Sequence, residues 1–445
     1  MSRAVPADVL VVGAGSAGSV LAERLSANHD RQVTVLEAGP GREDPGIRTL
    51  TDDAAVLPVG AGSPVAQHYL SILTGHPERI AGIVRGCCVG GSGAVNGGYF
   101  CRALPGDFGA VAGWSWPEVV EHYQAVEARI IASPAAEFAT ATKAFTAAAE
   151  RAGHRWLPDL GTDADGVGAV PLNIVDGVRR GPGAVFLEPA LGRPNLRLLT
   201  GIRVTRVLID GGRAVGVEAI GPHGPRRFDA GAVVLSAGAV ESARLLMLSG
   251  IGQAAALAAL GIGVVADLPV GQRCWDHPEW VLATSRAGVG GHPVLEAVLV
   301  DQGLEIRPYT TGFGSPTVSI GVALMRPRAR GRVSLVSADP SVPPRIEHRY
   351  DSEPADIAEL ARGCELVAGI LGGTTELGGP QWSTSQHLGG TAPMGTAEYA
   401  VVDPHCRVYG VTGLSVVDSS VLPTPLGRGP HATVAMVGHR AAEFI

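Results

Sequence analysis

Three glycines and a carboxylate near the N-terminus have types and spacing that suit a chemical task. An apolar run leads into Gly13, Gly15 and Gly18, a short helical stretch follows, and a second apolar run ends in Glu37. In such a unit Gly13 permits a tight turn, Gly15 lets the backbone approach a pyrophosphate, and Gly18 lets the helix pack closely on the strand. The N–H groups at the helix start face the phosphates, and Glu37 can accept a hydrogen bond from a ribose 2′-OH. The unit predicts dinucleotide binding rather than a purely structural turn, without indicating which dinucleotide.

A second glycine-rich segment spans residues 85–98. Glycine clusters often mark surface loops. A loop without side chains can also lie flat against a planar ligand, where bulkier residues would not fit. In that interpretation Ser92 and Asn96 supply the few polar contacts, and the residues alone leave both interpretations open.

Cysteine and histidine give no metal or disulfide pattern. No two cysteines form a CxxC pair, and no cluster of His, Cys, Asp and Glu has the spacing of metal ligands, so we predict no metal site and a reduced setting. Taken one at a time, the histidines are more simply interpreted as structural. The six cysteines stand at positions 87, 88, 101, 274, 364 and 406.

Size and charge set the broad class of protein. The 445 residues are 46% hydrophobic and 17% charged, enough for two domains or one large split domain with a sizeable core. A net charge of −7 gives no dominant basic surface, so nucleic-acid binding is not expected. A first strand starting at Asp8 leaves no room for a signal peptide, and no apolar run approaches the ~20 residues of a spanning helix. We expect a cytoplasmic protein, with peripheral contact at the inner face of the membrane as an open alternative.

The elements that would position these residues follow from apolar periodicity. The run at 232–236 passes into a glycine and a helical stretch, which repeats the N-terminal pattern and indicates a parallel sheet covered on both faces. Residues 39–80 are rich in Gly and Pro and are expected to form loops. Alternating runs at 317–324 and 332–336 predict antiparallel strands between about 287 and 386. We predict an α/β fold, α+β overall, in which a Rossmann-like dinucleotide-binding domain carries an inserted antiparallel-sheet domain.

Several further blocks resemble those of the glucose–methanol–choline (GMC) flavin oxidoreductases, and the resemblance covers most of the chain. The ordered set is highly specific, whereas each block alone is weak. The blocks are Gly90-Gly91-Ser92 with Asn96-Gly97, Ser236-Ala-Gly-Ala239 with Leu248-Ser-Gly-Ile-Gly252, Asp276-His277-Pro278, and His387 with Gly390-Thr391 and Met394-Gly395.

The resemblance implies that the dinucleotide is FAD. Some relatives attach the flavin through a histidine before the Asn96 position, and Val95 stands there in this chain, which indicates non-covalent FAD. The FAD-binding domain would comprise residues 1–150, 172–285 and 386–445, and an antiparallel-sheet substrate-binding domain would comprise residues 151–171 and 286–385. The cofactor-binding residues implied are Gly13, Gly15, Ser16, Gly18, Glu37, Ala38, Ser92, Asn96, Gly97, Val204, Ala237, Asp418, Ala432 and Thr433.

The resemblance also implies a catalytic pair, His387 and His431. Alcohol oxidation needs a proton taken from oxygen and a hydride delivered from carbon to the flavin, and an imidazole with a pKa near ~6.5 suits the first task. His387 would be the base and His431 would hydrogen-bond the alkoxide, with the two roles open to exchange. The stretch between the helix at 353–371 and His387 is shorter than is usual in the family, which predicts a more open site.

Within the family, the short chain, the single lysine Lys143 and Asn96-Gly-Gly-Tyr-Phe-Cys-Arg102 are similar to the mycofactocin-associated branch. That resemblance implies a dehydrogenase that reoxidises a reduced, peptide-derived cofactor and passes electrons to the respiratory chain. The alternatives are an alcohol oxidase that uses O₂, a flavin-containing enzyme like hydroxynitrile lyase, and a non-catalytic flavin electron carrier. The sequence carries no signal for an oligomeric state.

Overall fold

The structure of the protein is a computed structural model, which describes residues 7–287, 293–313, 315–373, 377–396 and 398–445. The helix Trp116–Ile130 begins with a capping interaction, in which the Glu118 carboxylate accepts a hydrogen bond from Ser115 N at 2.8 Å. The α-helices of the described residues are Ser16–Leu25, Pro45–Asp52, Trp116–Ile130, Thr140–Arg151, Glu188–Ala190, Gly238–Leu248, Ala254–Ala259, Pro354–Leu371 and His431–Ala441.

The first sheet is parallel at its centre. Ala7–Val12 pairs with Val33–Leu36 on one side and with the end of Gly224–Leu235 on the other. Leu414–Val416 pairs in parallel with the far edge of Gly224–Leu235, so the ends of the chain contribute to one sheet. The central strands are apolar and buried, as parallel strands covered on both faces are. The other strands of this sheet are Leu196–Leu199, Arg203–Asp210 and Arg213–Gly221.

The second sheet is largely antiparallel, and helices Thr140–Arg151 and Pro354–Leu371 pack against it through an apolar core that includes Phe145, Leu360 and Val367. The α/β fold with an added antiparallel sheet is therefore confirmed. Helix Thr140–Arg151 begins before the predicted boundary at residue 151, and the predicted boundary after residue 285 falls inside a strand. The strands are Trp156–Leu157, Gly166–Ala169, Pro278–Ala287, Ala297–Asp301, Leu304–Pro308, Thr317–Leu324 and Gln381–Thr384.

The expectation of loops at residues 39–80 is wrong in two places. Asp44 caps a short helix by accepting from Gly46 N at 2.7 Å, with Pro45 at the first helical position. The second is a hairpin that belongs to a third sheet, whose strands are Ala66–Gly75, Glu78–Gly86, Arg332–Ser334 and Arg345–Glu347. Among the described residues there are also two short strand pairs, Ile174–Val175 with Val178–Arg179 and Ile251–Gly252 with Ala266–Asp267.

The three sheets meet around a cavity of about 840 Å³. The first sheet contributes residues such as Val12 and Ser236, the hairpin contributes Arg85, and the antiparallel sheet contributes Glu279 and Arg307. Within the described residues, none of the helices combines the length and apolar character needed to cross a membrane.

Candidate active site

The N-terminal glycine turn forms one end of the cavity. Gly13 has a φ of +101°, which disfavours any side chain, and a Cβ there would lie 2.5 Å from Ser236 O. A Cβ on Gly18 would overlap the carbonyl oxygen of Gly13, so only glycine lets the first helix approach this closely. Gly15 is different, because a Cβ there would meet only Ser236 O, at 3.8 Å. The protein's own packing therefore does not require Gly15, and the cavity lies beside it.

The first helix begins with Gly15 as its N-cap residue and without a side-chain cap. The leading N–H groups of a helix have no intrahelical acceptor. Gly15, Ser16 and Ala17 line the cavity. These donors and the positive end of the helix dipole form a cradle for an anion such as a diphosphate.

Glu37 is buried at the cavity wall, at the end of the second strand. Its Oε2 accepts from Ala14 N at 2.9 Å and its Oε1 accepts from Gly39 N at 2.9 Å. Burial raises the pKa of Glu37, and the backbone hydrogen bonds oppose that rise. Each carboxylate oxygen has two acceptor positions. Glu37 can therefore tie the two turns together and still accept from a ribose hydroxyl.

Asp418 fastens the C-terminal segment to the first sheet at the cavity wall. One oxygen accepts from Gly238 N at 2.8 Å and from Ser242 Oγ at 2.5 Å. The other accepts from Ser420 N at 2.8 Å and from Ser420 Oγ. Asp418 therefore holds the backbone around Ala237 in place, and both residues line the cavity.

The glycine-rich loop contains a short 3₁₀ turn, Gly91–Ala94, which presses on the first glycine turn. A Cβ on Gly91 would lie 2.8 Å from the Cα of Gly15. A Cβ on Gly93 would lie 2.5 Å from Nε2 of His431. The lack of side chains thus allows two close approaches within this loop, one to the cradle and one to an imidazole.

His431 is the first residue of the last helix and lines the cavity. Its Nδ1 lies 3.1 Å from Asn96 Nδ2, while Asn96 Oδ1 accepts from Gly98 N at 3.0 Å, which sets the amide orientation. Nδ1 of His431 is therefore the acceptor and Nε2 carries the proton. Nε2 is buried with no hydrogen-bond partner in the described part of the chain. Burial lowers the pKa of His431 to about 4, so near neutral pH it presents an uncharged N–H donor.

His387 is half-buried and lines the same cavity. The segment that contains His387 runs antiparallel to the segment around Trp275. Trp275 N donates to Gly389 O at 3.0 Å, and Trp275 O accepts from Gly389 N at 2.9 Å. Asp276 Oδ1 accepts from His387 N at 2.7 Å, and Nδ1 of His387 lies 2.8 Å from Nδ1 of His277. Burial lowers the pKa of His387 well below its ordinary value. Taken alone, the sequence indicates a structural role for His277. The signal that it lies at the site was its place in Asp276-His277-Pro278, one of the blocks that resemble the family.

A buried cluster of charged side chains from the antiparallel sheet borders the catalytic end of the cavity, where His387 and His431 lie. Arg307 donates to Glu279 Oε2 at 3.0 Å and to Glu305 Oε2 at 2.8 Å. Tyr309 OH donates to Glu279 at 2.6 Å, and Tyr99 OH donates to Glu305 at 2.9 Å. Apart from Tyr99, which lies in the motif at residues 96–102, no motif marks these residues in the sequence, because segments far apart in the chain bring them together. Apart from Glu305, they line the cavity.

The cavity brings together most of the residues that the sequence singled out. Gly18, Ala432 and Thr433 do not line it, and Thr433 Oγ1 instead bonds to Tyr123 OH at 2.6 Å. Within the described ranges, no group of three or more His, Cys, Asp and Glu residues is arranged to hold a metal ion. The predicted residues at the cavity wall are Gly13, Gly15, Ser16, Glu37, Ala38, Ser92, Asn96, Gly97, Val204, Ala237, His387, Asp418 and His431.

The uncapped helix start beside the parallel sheet and the two imidazoles line the same cavity. Together these features define a dinucleotide-dependent oxidoreductase. The chain belongs to the GMC oxidoreductase family, because the N-terminal model of that family matches residues 7–279 and its C-terminal model matches residues 327–438. It is an FAD-dependent oxidoreductase. The family resemblance noted in the sequence is thus confirmed.

Similar proteins cover nearly the whole chain. An uncharacterized GMC-type oxidoreductase in the thcA 5′ region of Rhodococcus erythropolis is 38% identical over 494 residues, with 100% of this chain and 99% of the relative covered. The alcohol dehydrogenase (acceptor) of Pseudomonas putida is 29% identical, with 98% and 95% covered. The crystal structure of pyridoxine 4-oxidase from Mesorbium loti superposes with a TM-score of 0.89 at 27% identity, with 98% of each chain covered. The first alignment is longer than the 445 residues of this chain, so that relative carries segments that this chain lacks.

The residues present fit FAD. The helix start supplies unpaired N–H donors for the diphosphate, Glu37 retains acceptor positions for a ribose, and the glycine loop with Ser92 and Asn96 offers a flat wall. The buried, unpartnered Nε2 of His431 stands at the catalytic end. Val95, which also lines the cavity, has no atom that could form a covalent link to a flavin.

Replacing Gly15 by alanine should weaken FAD binding while leaving the FAD-free fold intact. The new methyl group has room within the protein but would stand where the diphosphate approaches the backbone. Overpacking by one methyl costs about 1–3 kcal/mol, which corresponds to roughly 5–150-fold in Kd. Fluorescence titration of the FAD-free protein gives the Kd, and thermal unfolding gives the stability.

The matched control is Gly18→Ala, whose methyl group would overlap the Gly13 carbonyl. This variant should lose stability without FAD as well as with it. An unchanged Kd in Gly15→Ala would contradict the assignment of the diphosphate to this turn.

Proposed function

We propose that the protein is a dehydrogenase in which His387 takes the proton of a substrate hydroxyl and His431 holds the substrate oxygen. The observation that carries this proposal is the contrast between two imidazoles in one cavity. His431 offers a buried Nε2–H with no acceptor in the described part of the chain, and burial lowers the pKa of His387 well below its ordinary value, which favours the uncharged form. A donor and a base facing one cavity suit an alcohol that becomes an alkoxide.

The reaction divides between the cofactor and the side chains. Bound FAD supplies the acceptor for the hydride that leaves the alcohol carbon. His387 removes the hydroxyl proton, and the Nε2–H of His431 donates to the oxygen as negative charge develops there. Asn96 keeps that proton on Nε2 of His431 by donating to Nδ1. The N-terminus of the last helix adds a positive dipole end on the same side.

The proposed substrate is a reduced, mycofactocin-type cofactor, and the proposed electron acceptor is a respiratory carrier. The motif resemblance at residues 96–102 supports this, as does a cavity that continues from the FAD cradle into the antiparallel sheet. The wall there is polar but charge-balanced, because Arg307 pairs with Glu279 and Glu305 and Arg428 lies 3.9 Å from Glu305, so that two cations face two carboxylates. A balanced wall favours a neutral, hydroxyl-bearing compound over a cationic alcohol such as choline.

An anaerobic screen of flavin reduction tests the proposal. The FAD-loaded protein is mixed with a reduced mycofactocin-type donor, simple alcohols, sugars and choline, and bleaching of the flavin band is recorded. Bleaching by the peptide-derived donor, followed by reoxidation with a quinone, is the expected result. Bleaching by simple alcohols alone would overturn the assigned substrate, and cleavage of a cyanohydrin without bleaching would favour a lyase.

An alcohol oxidase is the second candidate, favoured by the 27% identity to pyridoxine 4-oxidase over 98% of the chain. An oxidase and a dehydrogenase share the step at His387 and differ in what reoxidises the flavin. Stoichiometric release of hydrogen peroxide in air would favour the oxidase. Slow reoxidation in air with fast reoxidation by a quinone would favour the dehydrogenase.

The acid limb of the pH profile should lie below pH 6.5. A base must be unprotonated to act, so activity is present above the pKa of His387 and is lost as the pH falls through it. Burial lowers that pKa well below 6.5 and lowers the pKa of His431 to about 4. Measurement of kcat/KM between about pH 4 and pH 8 locates the limb. A limb above 6.5 would contradict a desolvated imidazole base.

A further inference from the structure

The imidazoles of the buried His277 and the half-buried His387 touch edge to face. Their Nδ1 atoms lie 2.8 Å apart, and the rings meet at an interplanar angle of 85° with centroids 5.1 Å apart. A hydrogen bond of this length needs one nitrogen that carries a proton and one that offers a lone pair. The second hydrogen bond of His277 determines which of the two Nδ1 atoms carries the proton.

The other nitrogen of His277 lies 2.9 Å from the carbonyl oxygen of Leu426. A carbonyl oxygen can only accept, so Nε2 of His277 carries a proton. His277 is fully buried, and burial lowers its pKa to about 4, so the ring is neutral near pH 7. Its Nδ1 therefore carries no proton and offers a lone pair. The proton in the contact with His387 must then sit on Nδ1 of His387.

The backbone holds both rings in place. Asp276 Oδ1 accepts from His277 N at 2.7 Å and from His387 N at 2.7 Å. Its Oδ2 accepts from His348 Nε2 at 3.0 Å and from Thr384 Oγ1 at 2.9 Å. The carboxylate thereby fixes the two segments to each other, and neither ring can turn away without breaking the part-buried hydrogen bond between the two rings.

We propose that His277 is a positioning residue that accepts the Nδ1 proton of His387 and so keeps the Nε2 lone pair of His387 free for the substrate hydroxyl. No protein group among the described residues bonds to that Nε2, and the ring stands over Gly429, whose Cβ position lies 3.5 Å from it. After proton transfer, His387 still donates from Nδ1 to His277, so the contact persists through the reaction. The inference rests on the proposed function, in which His387 is the base.

Two substitutions at one position separate the acceptor role from packing. His277→Asn places an amide oxygen where Nδ1 stands, whereas His277→Leu places no acceptor there. Both variants lose the donation to Leu426, so they differ chiefly in the bond to His387. Partners that orient histidine ligands in metal sites typically contribute about 10–100-fold to activity, and a similar loss of kcat is expected in His277→Leu with KM little changed. His277→Asn should recover most of that loss.

The tautomers can be observed directly in the FAD-loaded wild-type protein. Selective ¹⁵N labelling of histidine reports which ring nitrogen carries the proton, and the variants assign the resonances. The expected result is a proton on Nδ1 of His387 and on Nε2 of His277. A proton on Nε2 of His387, or equal losses of kcat in the Asn and Leu variants, would overturn the inference.

Failure of the inference is distinguishable from failure of the proposed function. If substitution of His387 itself leaves turnover unchanged, the proposed function fails. If substitution of His387 abolishes turnover but its proton is found on Nε2, only the role of His277 fails. The spectrum needs no substrate, so its reading does not depend on the identity of the alcohol.

Discussion

Replacing His387 by glutamine is expected to lower kcat by about 10²–10⁴-fold while FAD stays bound. Glutamine keeps a polar side chain but cannot take a proton at neutral pH. The FAD cradle is formed by residues elsewhere in the cavity, so the flavin spectrum should be retained. Anaerobic stopped-flow reduction of the flavin by the substrate found in the screen measures the loss at the chemical step.

A histidine outside the cavity supplies the control. His29 is exposed in the turn after the first helix, and His29→Gln should turn over at the wild-type rate. Wild-type reduction rates in His387→Gln would remove the base assignment and favour a non-catalytic electron carrier. A loss of bound FAD in that variant would instead show that His387 helps to hold the cofactor.

The largest loss of stability is expected from Arg307→Met. The guanidinium lies between Glu279 and Glu305, whose side chains are 2% and 0% exposed. Without this cation Glu279 is buried without its ion-pair partner and Glu305 keeps only Arg428, at 3.9 Å, and breaking a buried pair costs about 3–5 kcal/mol. Chemical denaturation of the FAD-free protein, followed by circular dichroism, gives the free energy of unfolding.

A surface ion pair of the same chemistry is the matched control. Arg206 pairs with Glu218 at 2.6 Å, with side chains 54% and 42% exposed, and Arg206→Met should cost only about 0–1 kcal/mol. Adding only Glu279→Gln to Arg307→Met should restore much of the stability, because the remaining carboxylate, Glu305, still has Arg428 as its partner. Equal losses of unfolding free energy in Arg307→Met and Arg206→Met would contradict the role assigned to burial.

The N-terminal unit was predictable from sequence because its signals are local. Gly13 and Gly18 are fixed by contacts within a few residues, or by one neighbouring strand end, and the apolar runs on either side mark parallel strands directly. The confirmed FAD cofactor required the ordered later blocks, since a glycine turn alone does not choose a dinucleotide. The role of each remaining site residue stays a prediction, and so does the more open site. Residues 374–376 of the short segment before His387 lie outside the described ranges.

The parts that sequence reasoning missed depend on partners distant in the chain. Most of the hairpin at residues 66–86 lies in the stretch expected to form loops, and its first strand, Ala66–Gly75, pairs with Arg345–Glu347 some 275 positions later. Alternation at 332–336 did indicate a strand, but the strand joins this third sheet rather than the antiparallel domain. His277 gains its significance only beside His387, from which the chain separates it by 110 residues. Pairwise distances of this kind leave no periodic trace in a single sequence.

The strand Gly224–Leu235 lies between Ala7–Val12 and Leu414–Val416, so the sheet cannot be completed until the ribosome has synthesised the last of these strands. At about 5–20 residues per second, roughly 20–80 s pass between synthesis of the first strand and of the last. During that interval the cavity wall lacks Asp418 and the helix that carries His431. The growing chain therefore exposes apolar strand edges until it is nearly finished. Nascent chains halted before residue 414 should be captured by chaperones, and FAD should bind only after the full chain is released.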